Sequence, residues 1–102
     1  VVPYEQFLRE GYKLWWFKML YFAQCGSPVN YESFIVDAES LSDVVEWIKD
    51  FSSIDEEPQD EDQTYASAIS GHLWYNIEQF DSRNEEHSDV LSQMNGIPLC
   101  IE

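Results

Sequence analysis

After residue 25 the chain carries eighteen carboxylates and only two cationic side chains, Lys49 and Arg83. Before that point Glu5 and Glu10 stand against Arg9, Lys13 and Lys18, so residues 1–25 sum to +1 and residues 26–102 to −16. Like charges one helical turn apart repel by about 0.2–0.5 kcal/mol per pair. Such a chain must therefore turn its acids to solvent and build its core from the apolar runs between them. The total, −15, also exceeds the magnitude of about 2–8 that keeps a small domain soluble. A surface of this sign repels nucleic acid and anionic membranes and attracts basic partners.

The apolar material is sufficient for one core. Hydrophobic residues are 44% of 102, with 4 Trp, 6 Tyr and 6 Phe, which argues against a disordered acidic tail. The length fits a single domain, 1–102, with an exposed acidic loop at 55–63. The most apolar stretch, Tyr12 to Ala23, contains Lys13 and Lys18 and is shorter than the ~20 residues of a membrane span. It lacks the small-residue cleavage site of a signal peptide. A start at Val1 rather than Met leaves room for a segment upstream of this sequence. Cys25 and Cys100 are too few and too far apart for a secreted disulfide scaffold, although a single bridge between them is sterically open. Two reduced, buried thiols in a cytoplasmic protein are the expectation.

Periodicity favours helices. Pro3 suits a first turn, and Tyr4, Phe7, Leu8, Gly11, Leu14, Trp15, Met19 and Phe22 recur every three or four positions. Gly26 and Pro28 then read as a helix stop. Asn30 can cap a helix carrying Tyr31, Phe34, Ile35 and Ala38. Ser40 to Asp43 resembles a capping box ahead of Leu41, Val44, Val45, Ile48 and Phe51. Tyr65, Ala66, Ile69, Leu73, Ile77 and Phe80 also fall on one helical side. Ser82 to Glu85 is a capping box for a last helix with His87, Val90, Leu91 and Met94 inward, closed by Asn95-Gly96. Ile97 to Ile101 is a short apolar tail, either a strand or a segment docked on the core. The expected fold is all-α, four or five helices around an apolar first helix. The alternative is α+β: an N-terminal hairpin of Lys13–Gln24 and Tyr31–Ala38 joined through Gly26–Asn30, since aromatic residues favour strands. For residues 65–80 a strand with Ser67, Ile69, Gly71, Leu73, Tyr75 and Ile77 on one face competes with the helix.

Signals for chemistry are weak. No nucleophile elbow surrounds any Ser, and His72 and His87 lie at apolar helix faces, where a core role is the simpler reading. Zinc would need Cys or His two to five apart, and no such pair exists. Asp55 to Asp62 holds six acids but lacks the alternation and central Gly of a calcium loop. No carboxylate pair is distinguished for glycosidase work, and the four Gly are too scattered to cradle phosphate. The expectation is a non-enzymatic protein without metal or cofactor.

The acids themselves are the candidate site. Glu39, Asp43, Glu46 and Asp50, spaced four, three and four, form a helical stripe with neighbours about 4.5–6 Å apart along the axis. Such a row can stand in for DNA phosphates in a basic groove. Glu32 and Asp37 can extend it upstream. Asp55, Glu56, Glu57, Asp60, Glu61 and Asp62 add the loop. Glu85, Glu86 and Asp89, with Glu78 and Asp81, form a second row. Trp47, between Asp43 and Asp50, resembles an interface anchor. A generic acidic surface or adaptation to salt would produce similar composition, though the abundance of large aromatics and scarcity of Ala fit salt adaptation poorly.

Two functions follow as expectations. The first is an inhibitory binding protein, of DNA-mimic or immunity type, that covers the basic surface of a nuclease or other DNA-acting protein. It would not bind nucleic acid or membrane directly. The second is a non-enzymatic structural or adaptor module that binds a partner through its aromatic-rich first helix, Tyr12–Phe22, with a homodimer through exposed aromatics among Trp15, Trp16, Trp47, Trp74 and Tyr75 as a further option. An enzyme built on His72 or His87 is the weaker third reading.

Overall fold

The computed structural model describes residues 19–60, 62 and 64–101. Among these residues the chain runs β1 (Met19–Ser27), β2 (Asn30–Ala38), α1 (Leu41–Ser52), β3 (Ala66–Ser70), β4 (Leu73–Gln79), α2 (Glu85–Gln93) and β5 (Leu99–Cys100). The strands form one sheet in the order β3-β4-β1-β2-β5. All pairings are antiparallel except β2 with β5. The fold is α+β, and the expected all-α bundle is wrong.

The reason lies in β1. Leu20, Tyr21, Phe22 and Ala23 are consecutive and all buried. Side chains alternate between the faces of a strand, so this run fills both faces of the sheet at once. A strand buried on both faces shows no period of two, and periodicity cannot separate it from a buried helix. Met19 and Phe22, expected to continue an apolar first helix, are therefore strand residues. The part of that helix before Met19, with Trp15 and Trp16, lies outside the described residues.

One face packs against α1. Tyr21, Ala23, Val36, Ala38, Tyr75 and Ile77 of the sheet meet Leu41, Val44, Val45 and Ile48 of the helix. The opposite face brings Leu20, Phe22 and Ile35 against Val90, with Phe80, Leu91 and Met94 at the margin. Full burial of a large apolar side chain contributes about 1.5–3 kcal/mol, so these two layers dominate stability.

Residues 30–38 are strand β2, not a helix. Ile35 and Val36 are both fully buried but on opposite faces, a demand that a helix spacing of one residue does not meet. Gly26 and Pro28 do not stop a helix; they make the β1–β2 hairpin, in which Ser27 pairs with Asn30. Residues 66–79 are likewise a hairpin, not one helix. Gly71 takes φ +62 at the first position of a two-residue turn, as type II′ hairpins use. The turn reverses which side chains face inward: Ala66 and Ala68 before it, Tyr75 and Ile77 after it.

Of the three helices expected from caps, those after Ser40 and near Ser82 are present, and the one after Asn30 is strand β2. Ser40 Oγ accepts from Asp43 N–H at 3.3 Å and starts α1. The cap of α2 is Asn84 rather than Ser82: its Oδ1 accepts from Glu86 and His87 N–H at 2.9 and 3.2 Å. Cys25 is buried in β1 and Cys100 exposed in β5, with no disulfide between them. No helix among the described residues is long and apolar enough to cross a membrane.

Of Gly26, Gly71 and Gly96, Gly26 has the least room for a side chain. A Cβ there would lie 2.4 Å from the Asn30 carbonyl oxygen and 2.5 Å from Tyr31 Cα. Gly71 has nothing within 4 Å. Gly71→Ala should cost about 1–2 kcal/mol through its positive φ alone. Gly26→Ala should cost about 3 kcal/mol or more, because backbone must move. Urea midpoints of the two variants at equal m-value will rank them.

Candidate functional site

The acids expected as a stripe and a second row lie on opposite sides of the sheet. On the α1 side Glu46 and Asp50 are exposed, Asp43 is half-buried, and Glu39 precedes the helix. The proposed stripe is thus three helical residues and one from the connection before them. Lys49 lies within it and its Nζ donates to Glu57 Oε1 at 2.6 Å, tying the acidic loop to the helix. A shallow groove there is lined by Glu39, Glu46, Lys49, Glu57 and Asp62. Glu57, the adjacent Asp55 and Glu46 raise the Lys49 pKa, the Glu57 hydrogen bond most of all, so the ammonium stays charged.

The acidic loop is exposed but anchored at several points. Tyr75 OH donates to the Glu56 carbonyl, and Gln59 N–H donates to the Ser67 carbonyl. Asp62 Oδ1 accepts from the N–H of Thr64 and Tyr65 at 2.7 and 2.8 Å. These bonds hold the Asp62 carboxyl below its ordinary value. Asp55, Glu56, Glu57 and Asp60 project into solvent, and Glu61 lies outside the described residues.

A second groove follows the outer edge of β2. It is lined by Tyr31, Glu32, Ser33 and Phe34 of the strand and by Glu85, Glu86, Asp89, Val90 and Gln93 of α2. The sheet thus brings the β2 edge, distant in sequence, beside the carboxylates of the last helix, while the Glu32 side chain falls on the α1 face with Cys25 and Phe34. Asp81, one of the second row, is instead engaged by Arg83, whose Nε lies 3.1 Å from its Oδ1. That hydrogen bond, with the Arg83 N–H, lowers the Asp81 pKa.

Trp47 is half-buried rather than a bare anchor. It stacks on Phe51 at 5.3 Å, and Phe34 of β2 meets both rings edge-on at 5.7 and 5.3 Å. Phe51 remains 48% exposed, so the cluster has an open rim beside the β2 edge. Asp43 and Asp50 flank Trp47 within about 60° on the helical wheel. Tyr75, expected to be available to a partner, is buried in the core and cannot serve as one. Trp74 is half-buried against Tyr31, at 5.7 Å between rings.

The two histidines take different places. His72 is exposed in the β3–β4 turn. His87 is 2% exposed, stacked on Phe22 at 4.2 Å, and its Nδ1 accepts from Asp81 N–H at 3.0 Å. That acceptor role assigns the neutral ring's proton to Nε2. His87 therefore holds the β4–α2 connection onto the sheet. Burial first, and then Glu32 across the hairpin, pushes the Cys25 thiol up, away from the reactive thiolate. No group of three or more metal-ligating side chains forms among the described residues.

The β2-edge groove was the part least visible in the sequence. Glu32 was only an extension of a stripe there, and Tyr31, Ser33 and Phe34 were helix positions. Comparison with protein-family models, curated proteins and solved structures returned no match to the chain.

Asp62 yields a pH-dependent test. Its folded pKa is depressed, so its stabilising contribution is complete above the ordinary carboxylate value and disappears as pH falls through the lowered one. The stability difference between wild type and Asp62→Ala should be constant near neutrality and shrink below pH about 4. Paired urea titrations across pH will measure it.

Proposed function

We propose that this protein is a non-catalytic binding protein that holds a basic protein partner against its acidic surface. One observation carries the reading. Both cations between residues 19 and 101, Lys49 and Arg83, are paired with a neighbouring carboxylate, Glu57 and Asp81. The acids of α1, of the loop and of α2 consequently have little internal compensation. Exposed carboxylates of this density repel each other in the free protein, and an opposing basic surface relieves that repulsion on binding. Charge of one sign accelerates encounter with such a partner, and the half-exposed rim of Phe51 and Trp47 supplies apolar contact that slows release.

The narrower form of the proposal is inhibitory. A partner whose basic groove ordinarily holds nucleic acid would be blocked by an acidic cover of this kind. The separation of the acids into two regions favours contact with a broad basic surface over imitation of one continuous phosphate row.

Neutralising Glu85, Glu86 and Asp89 together, or Glu46 and Asp50 together, tests the reading. Wild-type affinity for a basic partner should fall on the order of 10-fold between about 50 and 200 mM salt, and each set of substitutions should flatten that dependence. Affinity indifferent to salt and to both sets would sink the proposal. Competition by duplex DNA tests the inhibitory form separately.

A further inference from the structure

β2 is paired on its outer side only at its C-terminal end. β5 meets Val36 and Asp37 in parallel, and Ile101 N–H donates to the Asp37 carbonyl at 2.9 Å. Ile35 N–H points to Met94 Sδ at 3.2 Å. These groups face away from β1. By strand alternation the N–H and C=O of Tyr31 and Ser33 face the same way, and among the described residues none of them has a hydrogen-bond partner. Asn30 to Phe34 is thus an open strand edge of five residues, about 17 Å long.

We infer that this edge accepts an extended basic segment of a partner protein as an added strand, in line with β5. The inference rests on the basic-partner reading and specifies how the partner is held. Open edges are templates for pairing, and proteins ordinarily block them. Here the edge lies in a groove with carboxylates on either side: Glu32 on the strand, and Glu85, Glu86 and Asp89 on α2. A second copy of this chain would bring the same acids together and is disfavoured. A cationic segment is attracted by all four.

The two sides of the edge also set a pattern. Side chains of an added strand alternate between the α2 side, where Glu85, Glu86 and Asp89 lie, and the α1 side, where Phe34 and the exposed rim of Phe51 lie with Glu32 as the single carboxylate of the strand. The preferred segment alternates basic and apolar residues.

The probe is a capped eight-residue peptide of alternating Lys and Val, titrated by calorimetry. Ser33→Pro removes the outward N–H without taking a backbone bond from the fold, and proline is tolerated on strand edges. Ser33→Ala controls for the Ser33 hydroxyl, which accepts from Gln24. Wild type and Ser33→Ala should bind within twofold of each other, while Ser33→Pro binds at least tenfold more weakly at unchanged circular dichroism. On wild type, the peptide should slow exchange of the Tyr31 and Ser33 amides at least tenfold, a readout independent of whether the proline variant folds. Equal binding by folded Ser33→Pro, unprotected Tyr31 and Ser33 amides, or no peptide binding by wild type overturns the strand docking. In the first two cases the basic-partner reading stands if Glu85→Gln, Glu86→Gln and Asp89→Asn together weaken binding, and fails with it if they do not.

Discussion

Burial of β1 on both faces is the constraint on which the rest of the structure depends. Tyr21 and Ala23 reach one layer and Leu20 and Phe22 the other, so neither helix can be lost without exposing half of the central strand. The same strand is the antiparallel neighbour of both β2 and β4. Its backbone hydrogen bonds are satisfied on both edges, as a strand removed from water requires. The His87 ring belongs to this arrangement: it lies flat on Phe22 and binds the Asp81 amide, joining the second helix to the sheet.

A sheet covered in this way decides where charge can go. The helices present one side to the core and the other to water, so their acids collect on the outer surfaces and in the connections. α1 carries Glu46 and Asp50 outward, while Trp47 and Phe51 turn toward Phe34 at the β2 border. α2 places Glu85, Glu86 and Asp89 over the outer edge of the same strand. The two helices sit on opposite faces, yet both contribute to the border of β2. The concentration of acid there follows from the layer architecture and not from any contiguous acidic segment.

Much of the local structure was legible in the chain. The caps of Ser40 and of the Ser82–Glu85 region marked both helices, the second displaced by two residues because Asn84 Oδ1 reaches two amides at once. The exposure of Asp55, Glu56, Glu57, Asp60 and Asp62 followed from their charge. The strands carry spacings that a helix would also show, for identifiable reasons. β1 has no alternation because both of its faces are buried. In β2 the apolar positions Tyr31, Phe34, Ile35 and Ala38 coincide with a helical period. In residues 65–80 the turn at Gly71 shifts the inward-facing positions by one residue, and two short strands imitate one helix.

The sequence by itself determined that this chain is strongly acidic, that capped helices begin near Ser40 and Ser82, and that the described carboxylates of the 55–62 segment face water. Those properties depend on composition and on contacts within a few residues. Only the tertiary structure decided that the apolar runs are strands, because a continuous buried run satisfies a helix and a central strand equally until its neighbours are known. Only the tertiary structure set the β2 edge beside Glu85, Glu86 and Asp89 and left Tyr31 and Ser33 on that open edge. Strand pairing joins residues distant in the chain, and no spacing within a single segment records which edge will remain unpaired.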